Sequence, residues 1–173
     1  MQGSLALEIQ QIFPEISLSI FGIAIILLDT FLTKSKRHVA TSIALIGIAV
    51  TAVFTLGLVG EDGSFFSGMI VVDDFSIFFR ITFLIIGALT ILASSSYIAR
   101  ENLAVGEFQA LVLFAIVGMN LMVASNELIM IFLGLETLSI SSYILLGIKR
   151  TDPKSNESAL KYFLLGSFSS AFM

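Results

Sequence analysis

The sequence predicts an all-α integral membrane protein: a polytopic helix bundle of five full spans and the start of a sixth, with the N-terminus outside. Three observations carry this. Of 173 residues, 57% are hydrophobic and only 13% charged, against about 45–50% and about 25% in ordinary soluble domains; the mean hydropathy is +1.01. Apolar runs close to the roughly 20 residues that cross a bilayer recur along the whole chain. The Lys and Arg residues collect in every second connection. Sixteen Phe and no Trp suit a lipid-facing surface better than a compact water-soluble core. The whole of 1–173 reads as a single transmembrane bundle.

The spans fall near 12–32, 39–59, 75–99, 108–125 and 128–148, and a sixth opens near 153 and runs on toward Met173. Between the fourth and fifth stands only Ser125-Asn126-Glu127. One unbroken helix from 108 to 148 would be roughly 60 Å long at 1.5 Å per residue, about twice the hydrocarbon core, so a tight turn is expected at Asn126. The segment 60–74, GEDGSFFSGMIVVDD, is punctuated by Gly60, Gly63 and Gly68 and reads as an external hairpin-like loop. Asp152-Pro153 reads as an N-cap followed by proline at the first helical position. The N-terminal MQGSLALEIQQIFPE has no basic leader before its apolar run, so a cleaved signal peptide is not expected.

Basic loops mark the cytoplasmic side. Lys34, Lys36 and Arg37 follow span one, Arg100 follows span three, and Lys149, Arg150, Lys154 and Lys161 follow span five. The opposite connections carry Glu61, Asp62, Asp73, Asp74 and Glu127. Arg80, one to two turns inside span three, is expected to snorkel outward toward Asp73 and Asp74. His38 lies beside the basic loop and reads as a solvated residue.

The absence of Cys and the single His rule out thiolate-held iron–sulfur clusters, bis-histidine haem, Cys/His zinc sites and disulfides. The chain itself therefore carries no such redox centre. What remains chemically conspicuous is Glu136, within about a turn of the middle of span five. At that depth a charged residue costs about 2.5–3.5 kcal/mol on insertion scales. It must face the bundle interior, pair with a cation, or stay protonated. At 100° per residue, Ser139, Tyr143 and Gly147 share its face, either as a seam for close helix packing or as the wall of a hydrated path. Lys161 lies about two turns into helix six at i+4 from Glu157, a spacing that suits an ion pair. Direct pairing of Lys161 with Glu136 is not expected, because Glu136 lies roughly 18 Å deep and Lys161 is shallower. Asn120 in span four and Asp29 near the inner end of span one are further polar members.

"ELIMIFLGLETLSISSYILLGI" (127–148) followed by "ESALKYFLLGSFSSAF" (157–172) resembles the antiporter-like membrane subunits of respiratory complex I, and "VDDFSIFFR" (72–80) resembles their third span. That family is related to subunits of multisubunit cation/proton antiporters and of membrane-bound hydrogenases. The resemblance implies that Glu136 belongs to a proton path and that Lys161 is a charged position beside it. The family's next essential group, a Lys on a broken seventh helix, has no counterpart here. Family members carry more than a dozen helices in two inverted repeats, so the chain looks like an N-terminal portion of such a subunit. No cofactor is implied in this chain; NAD, quinone and redox centres are expected on partner subunits. Implied partners are other membrane subunits and the lipid bilayer, without nucleic acid, in a bacterial inner membrane. A sodium/proton antiporter subunit and a structural scaffold are the competing readings.

Overall fold

The computed structural model describes residues 8–31, 37–101 and 103–173. Lys34, Lys36, the Arg37 side chain and the first seven residues of the N-terminal stretch lie outside the described residues. Six long helices follow in order: α1 (Phe13–Phe31), α2 (Arg37–Leu56), α3 (Asp74–Arg100), α4 (Val105–Val123), α5 (Leu128–Leu146) and α6 (Pro153–Ser170). The first five are long and apolar enough to cross a membrane. A two-stranded hairpin, β1 (Gly63–Phe65) and β2 (Ile70–Val72), sits between α2 and α3. The fold is thus a polytopic all-α bundle with one small extramembrane hairpin.

Helix boundaries follow local chemistry. Asp73 caps α3: its carboxylate accepts from the Ser76 N–H at 2.7 Å, while the Ser76 hydroxyl accepts from the Asp73 N–H at 3.0 Å. That reciprocal box satisfies two orphan donors of the first turn. Asp152 caps α6 by accepting from the Lys154 N–H at 3.1 Å, with Pro153 in the first turn. The hairpin turns through Phe66 and Ser67 at φ 53° and 58° and Gly68 at φ 95°, left-handed conformations that cost glycine least. Its register pairs Gly63 with Val72 and Phe65 with Ile70. The hairpin then docks onto the α4–α5 turn, where the Val71 N–H donates to the Ala124 carbonyl at 2.8 Å and the Asn126 N–H to the Met69 carbonyl at 2.9 Å. The turn expected at Asn126 is therefore held from outside as well as by chain length.

α4 is the central helix. It packs against α1, α2, α3 and α5, and half of its apolar window is buried, against 17% for α5. The core runs through Leu18 and Ile25 of α1, Ala44 and Ile48 of α2, Leu84 and Ile91 of α3, and Leu113 and Ile116 of α4. α4 and α5 cross at Gly118 and Gly134: a Cβ on Gly118 would stand 2.6 Å from the Gly134 carbonyl oxygen, and one on Gly134 would stand 2.7 Å from that of Gly118. Only small residues let backbones approach this closely in a membrane. α6 packs against α5 alone among the helices with substantial contact.

One expectation is overturned. Arg80 does not snorkel toward Asp73 and Asp74. It is fully buried, and its Nη2 lies 2.9 Å from Oε1 of Glu15 on α1. The physical reason is twofold. Asp73 is engaged as the helix cap, and Arg80 falls on the stripe Ile77, Arg80, Leu84, Gly87, Ile91 that α3 buries.

Candidate functional site

Glu136 lies at the middle of α5. Its side chain is half-buried, and its Oε1 is buried without a hydrogen-bond partner among the described residues. Its direction follows from the Gly118–Gly134 crossing. Gly134 and Leu138 meet α4; at about 100° per residue Glu136 stands roughly 200° round from Gly134, so it faces away from α4. Tyr143 and Gly147 share that face and pack on α6. The Tyr143 ring meets Tyr162 edge-on with centroids 4.9 Å apart and Phe163 at 5.7 Å. Its hydroxyl lies against Gly166, and Gly147 lies against Ala159. This antiparallel spacing, carried toward the start of α5, sets Glu136 level with the end of α6 near Ser170. The small and polar stripe is a helix seam at its Tyr143–Gly147 end, while Glu136 at its other end is half-buried.

Lys161 is exposed and pairs with Glu157 at 2.5 Å across one helical turn. On α5 its level is that of Leu145, about 13 to 14 Å along the axis from Glu136 at 1.5 Å per residue. The structure does not bring the two together. Asn120 is fully buried in α4, and neither side-chain polar atom has a partner among the described residues. Asp29 lies against Gly106 in the first turn of α4, where the positive end of the helix dipole favours a carboxylate. His38 is exposed and borders a cavity of about 140 Å³ lined also by Thr41 and Gln109. The Gln109 amide donates to the Thr41 hydroxyl there at 3.2 Å.

At the end of the bundle opposite the hairpin, the basic residues make specific contacts. Lys149 Nζ donates to Glu101 Oε2 at 2.7 Å and Arg150 Nη2 to Glu107 Oε2 at 2.8 Å, joining the α5–α6 connection to the α3–α4 connection and to the first turn of α4. The hydrogen bond from Lys149 holds the Glu101 carboxyl below its ordinary pKa, and the same bond raises that of Lys149. At the hairpin end, sequence reasoning missed the Glu15–Arg80 pair. A signal existed: a carboxylate three residues into span one and a guanidinium two turns into span three enter the apolar region from the same side. Among the described residues no three His, Asp or Glu side chains gather as a metal-ligand set.

Comparison with known proteins places this geometry in context. Residues 125–173, which hold Glu136 and Lys161, match the family described as NADH:quinone oxidoreductase/Mrp antiporter, TM. NADH-quinone oxidoreductase subunit N 1 of Solibacter usitatus is 43% identical over 159 residues, covering 92% of this chain and 33% of the relative. Subunit N of Trichlorobacter lovleyi is 44% identical over 168 residues, covering 96% and 34%. A chain in the structure of respiratory complex I from Thermus thermophilus with bound aureothin superimposes with a TM-score of 0.75 at 29% identity, over 92% of this chain and 34% of that one. This chain thus spans about a third of the length of the relatives it matches. Over nearly all of its own length, it resembles the antiporter-like membrane subunits of NADH-quinone oxidoreductase, subunit N among them.

Proposed function

We propose that the chain is the N-terminal portion of a proton-translocating membrane-arm subunit of a bacterial NADH-quinone oxidoreductase, working in the inner membrane. The observation that carries this is the mid-span carboxylate of Glu136, with a buried oxygen that finds no partner among the described residues, on an α5 face turned away from the α1–α4 bundle. A membrane-buried ionisable group of this kind has a functional role by default, and the resemblance to subunit N supplies proton transfer as that role. Partner subunits bind NADH and quinone and hold the redox centres; further membrane helices cover the Glu136 face. Redox chemistry in those subunits then changes the charge around Glu136 and so its proton affinity. Lys161, exposed and held by Glu157, is a secondary charged position. The matched family description also names an antiporter, which keeps a sodium/proton antiporter subunit as the second reading; genes for NADH- or quinone-binding subunits beside this one favour the first.

The test is Glu136→Gln in the assembled complex. Glutamine keeps the volume and hydrogen-bonding capacity but cannot exchange a proton. Native gels are expected to show normal assembly, while quinone-linked proton uptake in membrane vesicles falls at least tenfold. Glu136→Asp retains part of the activity, and Lys161→Ala gives a milder defect. A Gln variant that assembles and pumps like the parent would reduce Glu136 to a packing residue.

A further inference from the structure

The hairpin ends of α1 and α3 bring together buried polar groups that Glu136 does not use. Arg80 is 0% exposed and Glu15 5%. Besides the contact of Nη2 with Glu15, Arg80 Nη1 donates to the Gln11 carbonyl at 3.5 Å. Gln11, itself buried, donates through Nε2 to Glu61 at 2.7 Å, and Glu61 is exposed. A guanidinium has five N–H donors and an ionised carboxylate about four acceptor positions, so most of this capacity is unused. Among the described residues, Arg80 Nε, Glu15 Oε2 and Gln11 Oε1 have no hydrogen-bond partner, nor has either side-chain amide atom of Asn120.

Asn120 belongs to the same region. Ile116 of α4 meets Gly87 of α3; the two helices run antiparallel, so one turn beyond Ile116 lies level with Leu84, one turn from Arg80. The neighbouring hydroxyls of Ser17 and Thr51 bond each other at 2.7 Å and their own backbones, so they do not supply the missing partners. A buried ion pair offsets its desolvation only when its remaining protons and lone pairs are also bonded. Buried polar atoms in folded proteins bond to protein or to ordered water, and a buried water takes two to four polar partners.

We propose that Gln11, Glu15, Arg80 and Asn120 form a binding site for internal water inside the α1–α4 bundle. Water enters from the hairpin end by way of Glu61 and Gln11, and the site closes at Asn120. It is distinct from the Glu136 face, which lies on the far side of α5 from α4.

Radiolytic labelling tests this directly. The purified chain in lipid nanodiscs is exposed to brief X-ray pulses that convert nearby water to hydroxyl radicals, and side-chain oxidation is read by mass spectrometry. Leu18 and Leu84, next along the buried stripes from Glu15 and Arg80, are 0% and 2% exposed; Ile25 and Ile91, further along the same helices, are 0% exposed. Internal water at the pair makes Leu18 and Leu84 react several-fold faster than Ile25 and Ile91. In the Glu15→Leu/Arg80→Met double variant that excess disappears. Equal reactivity of all four residues in the parent chain, or an excess that persists in the double variant, overturns the proposal. The parent comparison decides by itself if the variant does not fold.

Discussion

Dehydrating a guanidinium and a carboxylate costs several kcal/mol per ion, and their attraction repays this only in good geometry. In the Glu15–Arg80 pair one contact is a 2.9 Å ion pair and Arg80 Nη1 donates to the Gln11 carbonyl at 3.5 Å, while Arg80 Nε and Glu15 Oε2 find no partner among the described residues. Removing one member strands the other charge in the core. Glu15→Gln and Arg80→Met, each alone, are expected to lower stability by about 3–5 kcal/mol, while Glu15→Leu with Arg80→Met lies close to the parent or above it. Thermal unfolding in detergent of the two single variants and the double one closes the cycle; single variants as stable as the parent would show that the charges are hydrated in bulk rather than buried. Residue identity alone did not reveal this pairing. Arg80 near a helix end fits snorkelling as well as burial, and the choice depends on which face of α3 turns inward.

That choice is made at the scale of the helix. α3 and α5 are apolar nearly all round, so neither has the one-sided stripe that identifies a core-facing surface. Span positions were legible from apolar length, and the cap at Asp152 from residue type; the cap at Asp73 emerged only in the structure. Facing was not, because it follows from contacts such as Gly118 on Gly134 between different helices. The ion pairs between connections belong to this scale too. The Glu101 carboxyl is held below its ordinary value of 4.5, so its link to Lys149 is complete above that pH and is lost as pH falls through the lowered pKa. Lys149 is raised above 10.5, so the link is complete below that pH and is lost as pH rises through the raised pKa. Spin labels at Ala99 and Thr151 are expected to hold one narrow distance distribution throughout the window from 4.5 to 10.5 and to broaden outside it. High salt narrows the window, since both groups are partly exposed. Broadening at neutral pH and low salt would mean that the pair does not hold the two connections together.

For the whole molecule, the distribution of basic residues predicts the 149–154 connection on the cytoplasmic side and the hairpin outside. The chain has no Cys, so single cysteines report cleanly. In right-side-out vesicles, an impermeant thiol reagent is expected to label Ser64→Cys in the hairpin and not Thr151→Cys. The reverse pattern would invert the topology.

The number of spans, their order, the hairpin between α2 and α3 and the mid-membrane depth of Glu136 were all determined by the sequence. Each depends on one-dimensional quantities: apolar run length, glycine placement and rise per residue. Only the tertiary structure decided which side chains share an interior. It turned Arg80 onto Glu15 and left the carboxylate of Glu136 facing away from α4, whereas the i,i+4 pairing of Lys161 with Glu157 was already legible in the spacing. The physical reason is that a bilayer imposes burial along the helix axis, while rotation about that axis is set by close packing at Gly118, Gly134 and Tyr143, contacts between residues far apart in the chain.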